Sequence, residues 1–315
     1  MQLDSRQLAA FAAVLREGSF EAAARSLHVT PSAVSQRIKA LEERLGRVLI
    51  RRASPCVATE AGESLQRHAQ QLQLLEAQAL APFGMTAASA SAAREAQEAL
   101  PLAIAINADS LATWFVPALA ALRERHEVCL DLHVEDQDHS SELLRQGRVL
   151  AAVSAEPTPV QGCRVSPLGR MRYLAVASPA FMRRHFADGL DDAALAAAPC
   201  CSFNQKDQLQ ARFLRQLSRR RLNPPQHRVP STHGFVHAAL HGLGWGMNPE
   251  ALVAPLLASG DLVELAPGRA LDVPLYWQRW SLEAEVLKAL GDAVAAAARS
   301  GLRPMRTPPS AGVAD

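Results

Sequence analysis

The stretch GSFEAAARSLHVTPSAVSQRIKALEERLG, Gly18 to Gly46, decides the fold of the N-terminal region. Ser19 is a hydroxyl cap for a short helix that turns Ala23 and Leu27 inward. His28-Val29 then makes a turn. Thr30-Pro31 starts a further helix, with a hydroxyl cap and then proline at the first helical position, where its missing N–H is not needed. Val34, Ile38, Leu41 and Leu45 recur at helical spacing as its buried stripe, and Gly46 stops it. Upstream, Leu8, Phe11, Ala12 and Leu15 give an amphipathic helix over 5–17, ended by Gly18. Three short helices, the last two joined tightly, form a helix-turn-helix.

Opposite the buried stripe of the third helix lie Ser32, Gln36, Lys39 and Glu43, with Ser35 at the edge. Such small and amide side chains suit a DNA major groove. Glutamine pairs bidentately with an adenine edge, serine bonds bases or phosphates, and Lys39 neutralises a phosphate. The same face also reads as merely solvated, which is the commoner case for an isolated amphipathic helix. Charge does not separate the two readings, because residues 1–60 hold nine basic against six acidic side chains.

Residues 47–58 contain two short runs, Val48-Leu49-Ile50 and Cys56-Val57-Ala58, about the turn Ala53-Ser54-Pro55. This predicts a β-hairpin with Arg51 and Arg52 at a wing position. Thr59 then caps a helix over about 60–80 with one stripe, Leu65, Ala69, Leu72 and Ala79. A winged module this small cannot bury that stripe, so a partner helix is the expected cover; packing on the chain's own second domain is the alternative. Two-fold pairing would present two reading helices to a palindromic site.

The whole chain has 315 residues, 49% hydrophobic and 20% charged, which excludes wholesale disorder. Net charge is +2, too balanced to announce a nucleic-acid or membrane partner by itself. No apolar run reaches a membrane span and no signal-peptide core is present, so a cytoplasmic protein without a membrane partner is expected. The cysteines, Cys56, Cys129, Cys163, Cys200 and Cys201, are odd in number and lack metal-site spacing, and read as buried reduced thiols.

Residues 82–99 lose periodicity and read as a linker or hinge. From residue 100 strands alternate with helices. Strands are expected at 102–106, 128–134, 149–153, 171–177, 200–203, 227–230, 243–247 and 271–280. Helices are expected at 110–124, 141–146, 179–186, 207–220, 233–241 and 283–299. This is an α/β pattern with mostly parallel sheets.

Phe11, Val14, Gly18-Ser19-Phe20, Ala23-Ala24, Leu27, Val29 through Ser35, Ile38, Leu41-Glu42 and Leu45-Gly46 stand in register with a known signature. Arg51-Arg52 and Thr59-Glu60-Ala61-Gly62 continue it. The pattern closely resembles that of the LysR-type transcriptional regulators, and the layout of the rest of the chain is similar. The resemblance implies an all-α winged helix-turn-helix over 1–59 and a dimerisation helix and hinge over 60–99. It implies an α/β effector domain of two lobes over 100–302, similar to a periplasmic binding protein, and a disordered tail over 303–315. Lobe 1 is expected at about 100–166 plus 270–302 and lobe 2 at about 167–269. DNA-binding roles are implied for Pro31, Ser32, Ser35, Gln36, Lys39 and Arg52, and more weakly for Arg37. Double-stranded operator DNA, a second or a fourth copy of the chain and RNA polymerase are the implied macromolecular partners.

In such a fold ligands sit beyond the carboxyl ends of strands. The residues there are Asn107, Asp109 and Ser110; Glu135, Asp136, Asp138 and His139; Asn204 and Asp207; and Ser231, Thr232 and His233. Hydroxyls at helix starts suit a carboxylate and the acidic residues suit a cation, so a zwitterion with an additional positive charge fits both. Asp109, Asp207 and Ser231 also read as plain helix caps. Asn107 through Leu119, Ser202-Phe203-Asn204 with Lys206-Asp207, and Pro274 through Gln278 resemble the lysine- and arginine-responsive ArgP/LysG branch of the family. That resemblance implies lysine or arginine as effector and an amino-acid exporter gene as target, and adds Thr113 and Phe203 to the candidate site. The effector candidates are therefore Asp109, Ser110, Thr113, Glu135, Asp136, Phe203, Ser231, Thr232 and His233.

His233, His237 and His241 have metal-ligand spacing on one helix but no acidic or thiol partner on that face. Gly242-x-Gly244-x-Gly246 leads from a helix into a strand, the reverse of a dinucleotide loop. No metal, cofactor or catalytic constellation is expected, and hence no enzyme. A different effector on the same fold stays open, as does a ligand-independent architectural protein acting at a replication origin.

Overall fold

The computed structural model describes residues 3–80, 100–134 and 140–305. The expected hinge over 82–99 and the candidates Glu135 and Asp136, with Asp138 and His139, lie outside the described residues. So does the tail from residue 306.

The N-terminal module runs α1 (Ser5–Glu17), α2 (Phe20–Ser26), α3 (Pro31–Leu45), β1 (Ile50–Arg51), β2 (Val57–Ala58) and α4 (Glu60–Leu80). Each helix start follows from its cap. Asp4 accepts from the Arg6 N–H, Ser19 Oγ from Ala22 at 3.1 Å, and Thr30 Oγ1 from Ala33 at 3.2 Å. Gly18 and Gly46 end α1 and α3 with positive φ, 73° and 65°. Phe11, Val14, Ala23, Val34, Ile38 and Leu41 close over one another as a small core; each large aliphatic member contributes roughly 1.5–3 kcal/mol by leaving water.

The wing is tied to this core by polar bonds. One oxygen of Glu42 accepts from Leu49 N–H at 2.8 Å and Ile50 N–H at 3.3 Å. Thr59 Oγ1 donates to the Val48 carbonyl at 2.7 Å and accepts from Gly62 N–H at 3.1 Å. A Cβ at Gly62 would collide with the Leu49 carbonyl, so only glycine lets α4 leave the wing this closely.

The α4 stripe departs from expectation. Leu65 and Ala69 are buried in the helix-turn-helix core and Leu72 packs against it. Farther along the helix, Leu75 is 41% exposed and Ala79 is exposed. The module therefore covers the first half of the stripe itself, because α4 folds back along α1.

The second domain begins with β3 (Leu100–Ile106), a short α5 (Ala108–Ser110), a π turn at Leu111–Phe115 and α6 (Val116–Arg123). Then come β4 (Val128–Val134), α7 (Ser140–Arg145), β5 (Ala151–Ser154) and β6 (Cys163–Ala177). Next are α8 (Pro179–His185), α9 (Asp192–Ala197), β7 (Cys200–Ser202), α10 (Leu209–Leu217), β8 (Gln226–Arg228) and α11 (Thr232–Leu240). The chain closes with β9 (Gly246–Pro249), α12 (Glu250–Ser259), β10 (Val263–Glu264), β11 (Ala270–Trp280) and α13 (Glu285–Gly301).

One lobe stands on β3, β4 and β5, which pair in parallel through β3. The other stands on the end of β6 with β9 and β10, beside the parallel pair β7 and β8. Two long strands run through both lobes: β11 lies antiparallel to β6 from Ala270 opposite Leu174 to Trp280 opposite Cys163, with a register shift between Leu275 and Tyr276. The expectation of mostly parallel sheets fails here, since β11 is also antiparallel to β5 and β6 to β9 and β10. A chain that crosses to a second lobe and returns must lay its return strand against its outward one. Hydrophobic periodicity does not encode that direction. Strand β6 also begins at Cys163 rather than 171, because its first residues alternate with exposed ones and include Pro167 and Gly169.

Trp277, Trp280, Phe115, Leu287, Leu290 and Val294 bury α13 against the β3 lobe. At the other side Asp272 accepts from Arg172 at 2.8 Å and also from Arg170. Arg303, assigned above to the tail, is fixed instead. Its backbone pairs with Arg170 at 2.7 and 3.0 Å, and its guanidinium grips Glu250 at 2.9 Å. The cysteines are all free thiols, but Cys129 is exposed and Cys163 half-buried, against the expectation that all are buried. Burial pushes the Cys200 thiol up to about 12 and the Cys163 and Cys201 thiols up to about 11, which keeps them protonated and unreactive.

Candidate DNA-reading face and ligand cleft

Pro31, Ser32, Gln36 and Lys39 lie exposed on one face of α3, with Ser35 and Arg37 partly covered at its margins. Lys39 Nζ is 3.7 Å from Glu43, one helical turn on, an exposed pair too weak to hold the lysine. Arg52, on the exposed run after β1, sets its guanidinium 4.8 Å from the centroid of the Phe20 ring. That cation–π contact braces a wing arginine against the start of α2. Glu42 stood in the family pattern, but the sequence did not reveal its role: one of its carboxylate oxygens fixes the wing relative to α3.

Between the two lobes lies a cavity of about 590 Å³, the size of a small-ligand site. Asp109 is set deep in its wall with one side open to the cavity. Tyr173 Oη donates to Asp109 Oδ2 at 2.7 Å, and Thr232 Oγ1 donates to Oδ1 at 2.7 Å. Asp109 stands on α5 of one lobe, whereas Tyr173 and Thr232 belong to β6 and α11 of the other. Burial pushes the Asp109 carboxyl above its ordinary range; the two hydroxyl bonds pull against this, and the nearby charge of Asp207 adds to it.

Two amides complete the polar wall. Asn107 spends its oxygen capping α5 and Asn248 spends its amino group on the Gly246 carbonyl. That leaves Asn107 Nδ2 and Asn248 Oδ1 buried with no protein hydrogen-bond partner. A buried donor and acceptor without partners are costly unless a ligand or water meets them. Lys206 and Arg212 bring positive charge to the rim, and Phe203, Phe235 and Met247 supply apolar wall. The cavity can thus receive a cation, an anion and an alkyl stem in one molecule.

Of the expected effector residues, Asp109, Phe203 and Thr232 line the cavity. Ser110, Thr113, Ser231 and His233 do not. Ser110 is fully buried at the end of α5, and Thr113 Oγ1 is turned onto the Asp109 carbonyl at 2.6 Å. Ser231 caps α11 through Gly234 N–H, and His233 is exposed on that helix. A β–α junction fixes which residues are near a strand end, but helical phase decides which of them face inward. Asp207 does both things weighed for it: it accepts from Phe203 and Leu209 N–H at 2.9 and 3.0 Å, and it lines the cavity. Tyr173, Asn248 and Arg212 were missed. Their only signals were polar groups in or beside apolar strands and helices. His237 and His241 are exposed, and among the described residues no group of three potential ligands could hold a metal ion.

A winged helix-turn-helix joined to a two-lobed cleft defines a DNA-binding regulator with a small-molecule domain. Residues 5–63 match the model of the bacterial regulatory helix-turn-helix protein, lysR family, and residues 95–299 match the LysR substrate binding domain. The chain belongs to the LysR family of transcriptional regulators, proteins that bind DNA and catalyse no reaction.

It is 52% identical over 301 residues to the HTH-type transcriptional regulator LysG of Mycobacterium tuberculosis, covering 96% of this chain and 95% of that one. The crystal structure of ArgP from Mycobacterium tuberculosis superposes with a TM-score of 0.83 at 49% identity, over 96% of this chain and 100% of that one. A full-length LysG of Corynebacterium glutamicum with bound effector Arg superposes at 0.75 with 42% identity and the same coverage. A relative from that species is named as a lysine export transcriptional regulatory protein, and it is 44% identical over 95% of this chain and 99% of its own length. Among the described residues no helix is long and apolar enough to cross a membrane.

Proposed function

We propose that this regulator senses a cationic amino acid, L-arginine or L-lysine, in the cleft at Asp109, and controls a gene for an amino-acid exporter. The observation that carries the reading is a cavity-facing carboxylate bonded by two neutral hydroxyls, two residues from an unpartnered amide donor and across from an unpartnered acceptor. The side-chain cation meets Asp109, and the ligand carboxylate meets Asn107 Nδ2 with Lys206 and Arg212. The α-ammonium meets Asn248 Oδ1, and the alkyl stem lies along Phe203, Phe235 and Met247. The arginine bound in the Corynebacterium glutamicum relative, and the lysine-export name of its sequence relative, support the ligand class and the target.

Because the Asp109 bonds join the two lobes, a ligand that competes for them shifts the population of lobe arrangements. By linkage, that ligand and the DNA geometry it favours strengthen each other. In this reading Pro31, Ser32, Ser35, Gln36 and Lys39 enter the major groove and Arg52 touches flanking DNA. The exposed end of α4 pairs with a second copy, so that a dimer or tetramer presents two heads to a palindromic operator in the cytoplasm, where RNA polymerase is a further contact.

The test is thermal melting against a panel of amino acids and organic acids, since a ligand of the folded state raises the midpoint. A selective rise with arginine or lysine is expected. A rise with another compound alone replaces the effector, and no rise with any compound favours ligand-independent DNA binding.

A further inference from the structure

Between Asp207 and Glu250 the chain has no acidic residue, although it holds 31 in 315. The first half of that segment carries Arg212, Arg215, Arg219, Arg220, Arg221 and Arg228, and all six are exposed. An arginine-rich composition accounts for Arg in place of Lys but not for the missing counter-charges. Among the described residues only Arg220 of these meets a carboxylate, Asp192 at 3.7 Å.

The loop that presents Arg219, Arg220 and Arg221 is anchored. Ser218 Oγ accepts from Arg220 N–H at 3.0 Å, Leu222 packs on the domain core, Pro224 is buried, and Cys200 N–H donates to the Pro225 carbonyl at 2.8 Å. Strand β8 follows with all three residues exposed. None of the exposed large apolar side chains lies between 209 and 228.

A protein partner would be expected to find an apolar centre here, whereas nucleic-acid interfaces are polar and strongly positive. Guanidinium groups bond phosphate oxygens in pairs. The DNA-reading module of the same chain is only mildly basic, with nine basic against six acidic residues over 1–60.

We propose that the arginine ridge from Arg215 to Arg228 is a second, sequence-independent DNA contact, one that holds the phosphate backbone of duplex flanking the site read by α3. Arg212 is set apart because it lines the ligand cleft.

The test uses the full-length chain with random-sequence duplexes of about 25 and about 150 bp, the longer being able to bend back. The triple variant Arg219→Ala, Arg220→Ala, Arg221→Ala is expected to lose about tenfold in affinity for the long duplex, and its slope of log affinity against log salt to become shallower by about 2.7. The triple Arg→Lys variant keeps the charge and the parental slope, and each single Ala variant removes about one unit of slope. An unchanged slope in the Ala variants overturns the proposal whether or not affinity falls. If affinity is unchanged as well, the ridge is assigned to an acidic protein surface instead. The melting shift with arginine should match the parent, which separates this result from any failure of the ligand reading.

Discussion

Asp109→Asn changes the charge at the floor of the cleft and almost nothing of its shape. The amide can still accept one hydroxyl bond, so the cavity between the lobes keeps its size. What is lost is the negative partner of the ligand cation. Removing one member of a buried, hydrogen-bonded charge pair costs about 2–5 kcal/mol, which is about 30-fold to several thousand-fold in Kd. The empty protein moves the other way. A carboxyl whose folded pKa lies above its unfolded value, near 3.9 for Asp, binds its proton more tightly when folded. Its contribution to stability is therefore present at low pH and is lost as pH rises through the window between the two values. Above the raised pKa the buried charge of Asp109 destabilises the empty protein, and there the Asn variant should melt at the same temperature or higher. The assay is calorimetric titration with L-arginine beside melting curves with and without it. Parental affinity should tighten as pH rises past the raised Asp109 pKa, and the variant should lack that dependence. An Asp109→Asn protein that binds arginine within about twofold of the parent refutes the reasoning.

Gln36→Ala should lose about 1–3 kcal/mol on the specific site and little on random DNA, while Lys39→Ala should weaken both and flatten the salt dependence; equal losses for Gln36→Ala on both DNAs contradict base readout. Glu42→Ala strands two wing N–H groups and should cost about 1–3 kcal/mol in chemical denaturation, with DNA affinity falling and arginine binding unchanged. Asp272 is held below the usual carboxylate range by Arg172, with Arg170 and Arg303 assisting. Its contribution to stability is present above the unfolded value and lost as pH falls through the lower folded one. Asp272→Asn should therefore reduce the acid sensitivity of unfolding and destabilise the protein at pH 7 by about 1–3 kcal/mol; an identical pH profile for parent and variant would remove the charge cluster from the account.

The helix-turn-helix was legible because its signals are local. Caps, a proline at the first helical position and stops at Gly18 and Gly46 all act within a few residues, and the 3.6-residue period places Gln36 and Lys39 outside without tertiary information. Asp109 was legible for a similar reason, since a β–α junction marks itself. The α4 stripe shows the limit: apolar spacing says that Leu65 and Ala69 will be covered, but not by what, and the cover is the helix-turn-helix core of the same chain, with α1 alongside.

The sequence by itself determined a winged helix-turn-helix ahead of an α/β domain, the face of α3 that looks outward and the strand ends where a ligand would sit. Only the tertiary structure decided which residues share the cleft. Asp109 meets Tyr173 across 64 residues and Thr232 across 123. Those meetings depend on β6 and β11 running antiparallel through both lobes. Strand direction, lobe closure and the rotation that turns Thr232 in and His233 out are set by long-range packing, and hydrophobic patterning within one element carries no record of it.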